Sequence, residues 1–231
     1  MRWKATVIAG ALAAATALAA PSVGAKEFKW AFQGNLQSLD PHGLFETFSL
    51  GFQGNIYEPL IGYDDKMNVV PMLAKSFKQT GPNTWRVNLR PGVKFHNGND
   101  MTADDYIFTW KRALTEGSDL KVPARKIKEI KKIDGMTFDI ITSNPNPILP
   151  RSLLILYVMD QEWSKEHKTE AATNLKGGEE GNFANLNANG TGPFMVTSHA
   201  AGVKTTLKRN DGYWQKIPSN VTSATFTPIS Q

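Results

Sequence analysis

The hydrophobic period changes within residues 84–114, and this change constrains the fold more than any other feature of the chain. In TWRVNL (84–89), apolar residues alternate with polar ones, a pattern that predicts a strand with one buried face. Farther along, Asn97-Gly98 predicts a type I′ turn, since these two residue types tolerate the positive φ angles that the turn requires. We therefore expect a strand followed by a reversal of the chain.

A capped helix is predicted directly after this turn. Thr102 precedes Asp105 by three residues, which is a T-x-x-D form of the capping box. Ile107, Trp110 and Leu114 then recur at helical spacing and form an apolar stripe. The polar residues of this stretch are thus explained by a turn and a helix start, with the exception of His96 and Asp100.

The remaining segments favour a mixed α+β arrangement. Residues 61–73 predict a short hairpin with Asp64-Asp65-Lys66 at its tip, and Asp134-Gly135, which alternating apolar residues flank, predicts another. LAKSF (73–77) is expected to form a helical turn, and residues 151–167 a buried helix. Short strands with scattered helices and no regular alternation are typical of an α+β fold.

The first 25 residues have the pattern of a secretory signal peptide. Arg2 and Lys4 precede an alanine-rich uncharged run, and Val23-Gly24-Ala25 supplies small residues for cleavage near Ala25. The apolar run is short for a membrane span, which needs about 20 residues. We therefore expect a periplasmic protein whose signal peptide is removed.

The composition excludes several classes of partner and anchor. Loss of Arg2 and Lys4 with the signal peptide lowers the formal net charge from +5 to +3, and no basic stripe alternates with aromatic residues. Nucleic acid is therefore not an expected partner. The chain has no cysteine, which excludes disulfides and a lipid anchor on an N-terminal cysteine.

No catalytic or metal-binding motif is complete. The sequence lacks HExxH, P-loop and GxSxG motifs, and the S-x-x-K pattern at 118–121 is not followed by SDN or KTG. A zinc site needs three or four ligands at workable spacing. The four histidines are widely separated, at 42, 96, 167 and 199. His96 with Asp100 is the one candidate pair of metal ligands. We predict no catalytic residue, no metal and no cofactor.

Four blocks carry a resemblance to a known family. They are VVPMLAKSF (69–77), the whole of 84–114, GTGPF (190–194) and LKRNDGYW (207–214). In order and rough spacing they resemble the family 5 extracellular solute-binding proteins, which are peptide- and nickel-type receptors of bacterial ABC importers. Tyr106 stands where that family usually has valine, and we expect this core-facing change to be tolerated.

The resemblance implies the first lobe of a two-lobed, type II periplasmic-binding-protein fold. Residues 26–55 and 185–231 would form an incomplete core domain, and residues 56–184 a smaller inserted α+β domain. Family members are typically more than twice this length. The resemblance therefore implies that the chain is the N-terminal portion of a receptor, a truncated product that lacks the second lobe.

The resemblance also implies a function and a set of contact residues. The protein would capture a peptide or similar small solute as a monomer and deliver it to an inner-membrane ABC permease. Charged groups that hold peptide ends come mostly from the second lobe of such receptors, so this chain alone is expected to bind poorly. The implied ligand-binding residues are Phe32, Gln33, Gly34, Asn35, Phe45 and Thr47.

Three alternatives stay open from the sequence. The aromatic rings of Phe45 and Phe48 are at least as well explained by core packing as by ligand contact. The chain could be a secreted enzyme with an unrecognised site, or a fragment without function. The ligand class, whether peptide, nickel chelate, opine or sugar, does not follow from these residues.

Overall fold

The computed structural model describes residues 24–229. The predicted signal peptide lies outside the described residues except for Gly24 and Ala25. Within the described range, the strands are β1 (Lys26–Phe32), β2 (Ile61–Tyr63), β3 (Val69–Pro71), β4 (Ala74–Gly81), β5 (Thr84–Leu89), β6 (Glu129–Lys132), β7 (Thr137–Ile141), β8 (Phe194–Ala200), β9 (Lys204–Arg209) and β10 (Val221–Pro228). The α-helices are α1 (Thr47–Gln53), α2 (Ala103–Ala113), α3 (Lys121–Ala124), α4 (Leu149–Leu153), α5 (Gln161–Glu166) and α6 (Phe183–Leu186).

One four-stranded sheet joins the start of the chain to its last described strands. Its order is β1-β10-β9-β8, with β1 parallel to β10 and the other pairs antiparallel. Phe32 at the end of β1 lies opposite Pro228, and its carbonyl accepts a hydrogen bond from the Ile229 N–H (2.9 Å). Within residues 24–229, β1 is an edge strand, so its second row of backbone groups has no strand partner there.

A second four-stranded sheet, in the order β4-β5-β7-β6, carries the middle of the chain. The strand predicted at 84–89 and the hairpin at Asp134-Gly135 are both confirmed. The helical turn predicted for 73–77 is wrong. Strand β4 begins at Ala74, because Phe77 pairs with Val87 of β5 and the sheet decides the local conformation.

The reversal at Asn97-Gly98 is confirmed, but its predicted type is wrong. Gly98 has a φ of +97°, whereas Asn97 is not among the residues with positive φ. The Gly98 N–H donates to the Phe95 carbonyl, and the Phe95 N–H donates to the Asn99 carbonyl, both at 2.9 Å. The turn is therefore centred one residue earlier, with Gly98 as the left-handed residue that follows it.

Helix α2 begins as the sequence predicts. Asp105 Oδ2 accepts hydrogen bonds from the Thr102 N–H (2.8 Å) and hydroxyl (3.0 Å). The buried face differs from the predicted stripe, since Trp110 and Leu114 are half-buried at the rim of the core. The fully buried residues of α2 include Tyr106, Thr109 and Arg112. The resemblance led us to expect Tyr106 in the core.

The helix predicted over 151–167 is two short helices, α4 and α5. The chain between them is not helical where the Val158 N–H donates to the Glu58 carbonyl and the Met159 N–H donates to the Thr109 hydroxyl. Asp160 then caps α5 by accepting from the Trp163 N–H (3.0 Å). Tertiary hydrogen bonds thus interrupt a segment whose apolar content suggested one helix.

Two apolar clusters hold the described residues together. The first draws all its fully buried members from residues 60–158 and lies under the second sheet. The other lies under the first sheet and includes Phe108, Met159 and Trp163, which belong to the predicted insert. The division into a core domain and an insert stays a prediction. No helix within residues 24–229 is long and apolar enough to cross a membrane.

Candidate functional site

The predicted contact segment lies where β1 ends. Phe32 is half exposed, and its ring stacks on Phe48 of α1 with centroids 5.1 Å apart. Gln33 and Asn35 are exposed, and Gly34 is partly buried between them. The structure therefore presents the side chain of Gln33 to solvent at the end of an edge strand.

Gly34 allows the chain to pass close to α1. A Cβ at this position would lie 2.7 Å from Phe48 Cγ, closer than side chains tolerate. Asn35 Oδ1 accepts a hydrogen bond from the Gly202 N–H (2.8 Å), which ties the segment to the turn between β8 and β9. The 32–35 segment is thus held at both sides and has a defined shape.

The two other predicted residues sit before and at the start of α1. Thr47 is exposed and is the helix neighbour of Phe48, which places it near Phe32. The Phe45 ring is 46% exposed, so it is not a core residue, and its N–H donates to Asp119 Oδ2 (2.9 Å). Contacts thus join Phe32, Gly34 and Thr47 through Phe48, whereas Phe45 is fixed by a different part of the chain.

An open apolar cavity of about 640 Å³ lies between α1 and the face of the first sheet. Thr47 is the predicted site residue that lines it. Sequence reasoning did not single out most of the other side chains, although the alternation within β1 carried the signal. The aromatic and aliphatic side chains that line the cavity include Phe28, Trp30, Phe48, Phe52, Phe194 and Leu207.

His96, which the sequence left unexplained, joins two distant segments. Its Nε2 lies 3.0 Å from the Gly192 carbonyl, its Nδ1 accepts from the Gly190 N–H (3.3 Å), and its own N–H donates to the Gly190 carbonyl (2.8 Å). Burial, assisted by the charge of Lys208, lowers the pKa of His96 to about 4. A neutral ring protonated at Nε2 satisfies both contacts, so His96 acts as a structural clamp.

Asp160 gathers three asparagines from separate segments. Its Oδ2 accepts hydrogen bonds from the side-chain amides of Asn97 (2.8 Å), Asn99 (2.9 Å) and Asn189 (2.9 Å). The side chain is 1% exposed. Part of the crowd of polar residues near His96 therefore packs around an internal carboxylate. Asn99, Asp100, Thr102, Asp104, Asp105 and Asp160 also line a groove of about 380 Å³.

Glu58 is a second buried carboxylate that joins separate segments. It accepts hydrogen bonds from the hydroxyls of Thr191 (2.8 Å) and Tyr213 (2.6 Å) and from Trp214 Nε1 (2.9 Å). Burial raises the pKa of Glu58 in spite of these hydrogen bonds. The guanidinium of Arg90 lies 4.4 Å from the centre of the Trp214 ring, a cation–π contact. Three of the four sequence blocks thus meet at Glu58.

A buried ion pair lies beneath the segment that leads into α1. Arg112 donates to both oxygens of Asp40 (2.8 and 2.7 Å) and lies 3.1 Å from His42 Nδ1, and all three side chains are buried. Burial acts against ionisation, but Arg112 holds the pKa of Asp40 below its usual value. Burial and Arg112 together lower the pKa of His42 to about 4. This cluster orients the 40–45 segment.

The described residues offer no obvious metal centre. Within 24–229, no group of three or more His, Cys, Asp or Glu side chains is placed to hold a metal ion. The His96–Asp100 pairing does not form, because Asp100 pairs with Lys94 (2.7 Å) and both ring nitrogens of His96 face backbone groups.

Comparison with known proteins decides the family. The family model described as bacterial extracellular solute-binding proteins, family 5 Middle, matches residues 68–231, which is more than half of the chain. The chain belongs to this family. The matched region of this family 5 protein contains His96, Asp160 and Arg112, whereas Asp40, His42 and Glu58 lie before it.

Similar proteins include receptors that are named for different ligands. The chain is 28% identical over 230 residues to the glutathione-binding protein GsiB of Escherichia coli, covering 95% of this chain and 42% of that one. It is 25% identical to the periplasmic oligopeptide-binding protein OppA of Haemophilus influenzae, covering 84% and 38%. Among solved structures, a nickel ABC transporter protein of Bacillus halodurans is 30% identical with a TM-score of 0.71, covering 88% and 39%. The family 5 chain thus spans less than half the length of these relatives.

Proposed function

We propose that the protein is the substrate-binding component of a bacterial ABC importer, or the first part of one. It captures a peptide or a similar small solute and delivers it to an inner-membrane permease. The observation that carries the proposal is the family 5 match over residues 68–231. The relatives include proteins named for oligopeptide and glutathione binding, which favours a peptide-like ligand.

The proposed ligand contacts are on one side of a cleft. An edge strand offers unpaired backbone groups that can pair with an extended peptide. The exposed side chains next to it suit contact with a ligand, and the ties at Gly34 and Asn35 reduce the entropy lost on binding. The proposed contact residues are Phe32, Gln33, Gly34, Asn35, Phe45 and Thr47.

The domain arrangement is part of the proposal. Residues 26–55 and 185–231 form the core domain, and residues 56–184 form the insert. The two four-stranded sheets support this division, because one is built from β1 and β8–β10 and the other from β4–β7. Closure of a second lobe over the ligand would require contacts that differ between open and closed states.

The protein acts without catalysis and without a cofactor, as a monomer in the periplasm after cleavage near Ala25. An enzyme would need histidines and carboxylates in its site, but the buried ones at His96, Asp160 and Glu58 have structural roles. His96, Asp160 and Glu58 each spend their polar atoms on internal hydrogen bonds. The lowered pKa of His96 and the raised pKa of Glu58 therefore have a structural cause, which weakens the alternative of a secreted enzyme.

Nuclear magnetic resonance of the isotope-labelled chain tests this function. Peptides, glutathione and a nickel–histidine complex are titrated separately into the millimolar range. We expect one class to shift the amide signals of residues 32–35 and 45–47 more than those of the second sheet. Gln33→Ala weakens that response, whereas Gln79→Ala, at an exposed position of β4, leaves it unchanged. Ligand-induced shifts confined to other surfaces would refute the proposed contacts.

A further inference from the structure

An exposed surface beside α3 and α4 combines aliphatic side chains with positive charge. Val122 is 72% exposed and Ile148 is 61% exposed. A groove of about 440 Å³ runs between them and is also lined by Lys126 and Arg151. Arg125 and Lys126 line a smaller adjoining groove of about 240 Å³. We name these five residues the basic shoulder.

The charge of the basic shoulder is not balanced by neighbouring segments. Residues 120–128 contain four cationic and no acidic residues, and residues 140–159 contain Arg151 and no acidic residue. Within 24–229, none of the three cations of the shoulder forms an ion pair, whereas Lys94, Lys132 and Lys176 do. Of the carboxylates nearest in sequence, Asp119 pairs with Lys176, Asp139 pairs with Arg86, and Glu129 is exposed.

The cations are also held loosely. Lys126 Nζ donates to Ser152 Oγ (2.9 Å), and in the described part of the chain neither Arg125 nor Arg151 makes a side-chain hydrogen bond. Guanidinium groups that recognise one carboxylate are usually fixed in a planar, bidentate geometry. Long cationic side chains without a fixed partner can contact many phosphate groups, and exposed aliphatic side chains between them can enter an apolar layer beneath those phosphates. This combination is found at surfaces that lie on anionic membranes.

We propose that the basic shoulder docks the protein on an anionic phospholipid surface. Arg125, Lys126 and Arg151 contact the phosphate headgroups, while Val122 and Ile148 enter the boundary between headgroups and acyl chains. Such docking would keep the protein close to a membrane independently of any solute. It therefore does not depend on the proposed ligand or on its contact residues.

Sedimentation with lipid vesicles tests the proposal on the full 231-residue chain. Vesicles of phosphatidylglycerol and phosphatidylcholine in equal parts are compared with vesicles of phosphatidylcholine alone. Because residues 1–25 carry Arg2 and Lys4 in every variant, the comparison between variants, and not the comparison between lipids, isolates the basic shoulder. We expect stronger binding to the anionic vesicles, and its loss in 1 M salt, where the screening length falls to about 3 Å.

Matched charge variants separate the basic shoulder from the net charge. The double variant Arg125→Gln, Lys126→Gln should bind anionic vesicles about twenty-five-fold more weakly, since each cation near such a surface contributes about fivefold. Lys75→Gln, Lys78→Gln removes the same charge from exposed positions of β4 and should change binding less than twofold. Strand β4 and strand β6, which follows α3, are at opposite edges of the second sheet. Circular dichroism verifies that both variants fold.

The aliphatic part of the proposal has its own variant. Val122→Ser, Ile148→Ser should weaken binding about fivefold without altering its salt dependence. Equal loss of binding in both glutamine doubles, or equal binding to neutral and anionic vesicles, would overturn the proposal. Retention on polyglutamate without vesicle binding would also overturn it and would point to an acidic polypeptide as the partner.

Discussion

His96 Nε2 lies 3.0 Å from the carbonyl oxygen of Gly192, across 96 positions of the chain. The same ring accepts a hydrogen bond from the Gly190 N–H, so one histidine fixes both ends of a glycine-containing turn. This turn also contacts the segment that follows α1, because the Gly192 N–H donates to the Ile56 carbonyl (2.8 Å). Two of the sequence blocks are therefore in direct contact.

The first prediction concerns the glycines of this turn. A Cβ at Gly190 would lie 2.0 Å from the Ile56 carbonyl oxygen, so Gly190→Ala must displace backbone. We expect the free energy of unfolding to fall by about 3 kcal/mol, as for other overpacked sites. Urea unfolding followed by tryptophan fluorescence measures the change. Gly51→Ala is the control. Gly51 lies within α1, and a Cβ there would have no atom within 4 Å, so we expect a stabilisation of about 0.5–1 kcal/mol.

The second prediction concerns the buried ion pair. Arg112→Met leaves Asp40 charged and fully buried without its partner, so we expect a loss of about 3–5 kcal/mol. Arg86→Met provides the contrast, because Arg86 is 44% exposed in its pair with Asp139 and should cost about 0–1 kcal/mol. Chemical unfolding of both variants gives the comparison. Similar losses for the two would contradict the role assigned to burial.

The third prediction is a loss of stability in mild acid. His42 and His96 have folded-state pKa values of about 4, below the ordinary value of 6.5. Between pH 6.5 and 4 the unfolded chain binds protons that the folded chain does not, so stability present above pH 6.5 is lost as the pH falls. For His42 the loss is about 3 kcal/mol at 1.36 kcal/mol per pH unit.

The raised pKa values of Glu58 and Asp105 act in the opposite direction near the acid end of this range, so a difference measurement is needed. His42→Gln should be less stable than the parent at pH 7, with a flatter dependence on pH. Unfolding free energies at several pH values test this. Parallel curves for the parent and the variant would show that His42 does not cause the loss.

The fourth prediction concerns the carboxylate shared by three asparagines. In Asp160→Asn, an NH2 group that donates hydrogen bonds replaces one carboxylate oxygen. The side-chain amides of Asn97, Asn99 and Asn189 therefore lose hydrogen-bond acceptors. We expect a loss of about 3 kcal/mol, since unsatisfied buried donors are costly. Asp65→Asn, at the exposed tip of the β2–β3 hairpin, should change stability by less than about 0.5 kcal/mol.

The fifth prediction concerns affinity for solutes. The proposed contacts all come from residues 32–47, and the chain spans 38% and 42% of the oligopeptide- and glutathione-binding relatives, so we expect the 231-residue chain to bind dipeptides and oligopeptides only weakly. Calorimetry with both ligand classes measures this. Micromolar binding would contradict it and would mean that residues 24–229 hold a complete site.

The local elements follow largely from the sequence. Alternation in 84–89, the Asp134-Gly135 hairpin and the Thr102–Asp105 cap each depend on neighbouring residues, and the structure contains all three. The four blocks of the resemblance indicated the family, and the match over 68–231 establishes it. Such features are readable because turn chemistry and periodicity act over a few residues.

The sequence did not predict which polar residues are buried or which groups form hydrogen bonds with them. The buried face of α2 carries Thr109 and Arg112, whose hydrogen bonds come from residues about 50 to 70 positions away. For the same reason LAKSF becomes a strand, and His96 finds its partners at Gly190 and Gly192. Sequence alone determined the elements that depend on turn chemistry and short-range periodicity, and it indicated the family. Tertiary structure decided which polar groups are buried, because a group can leave water only where distant parts of the chain supply its hydrogen bonds.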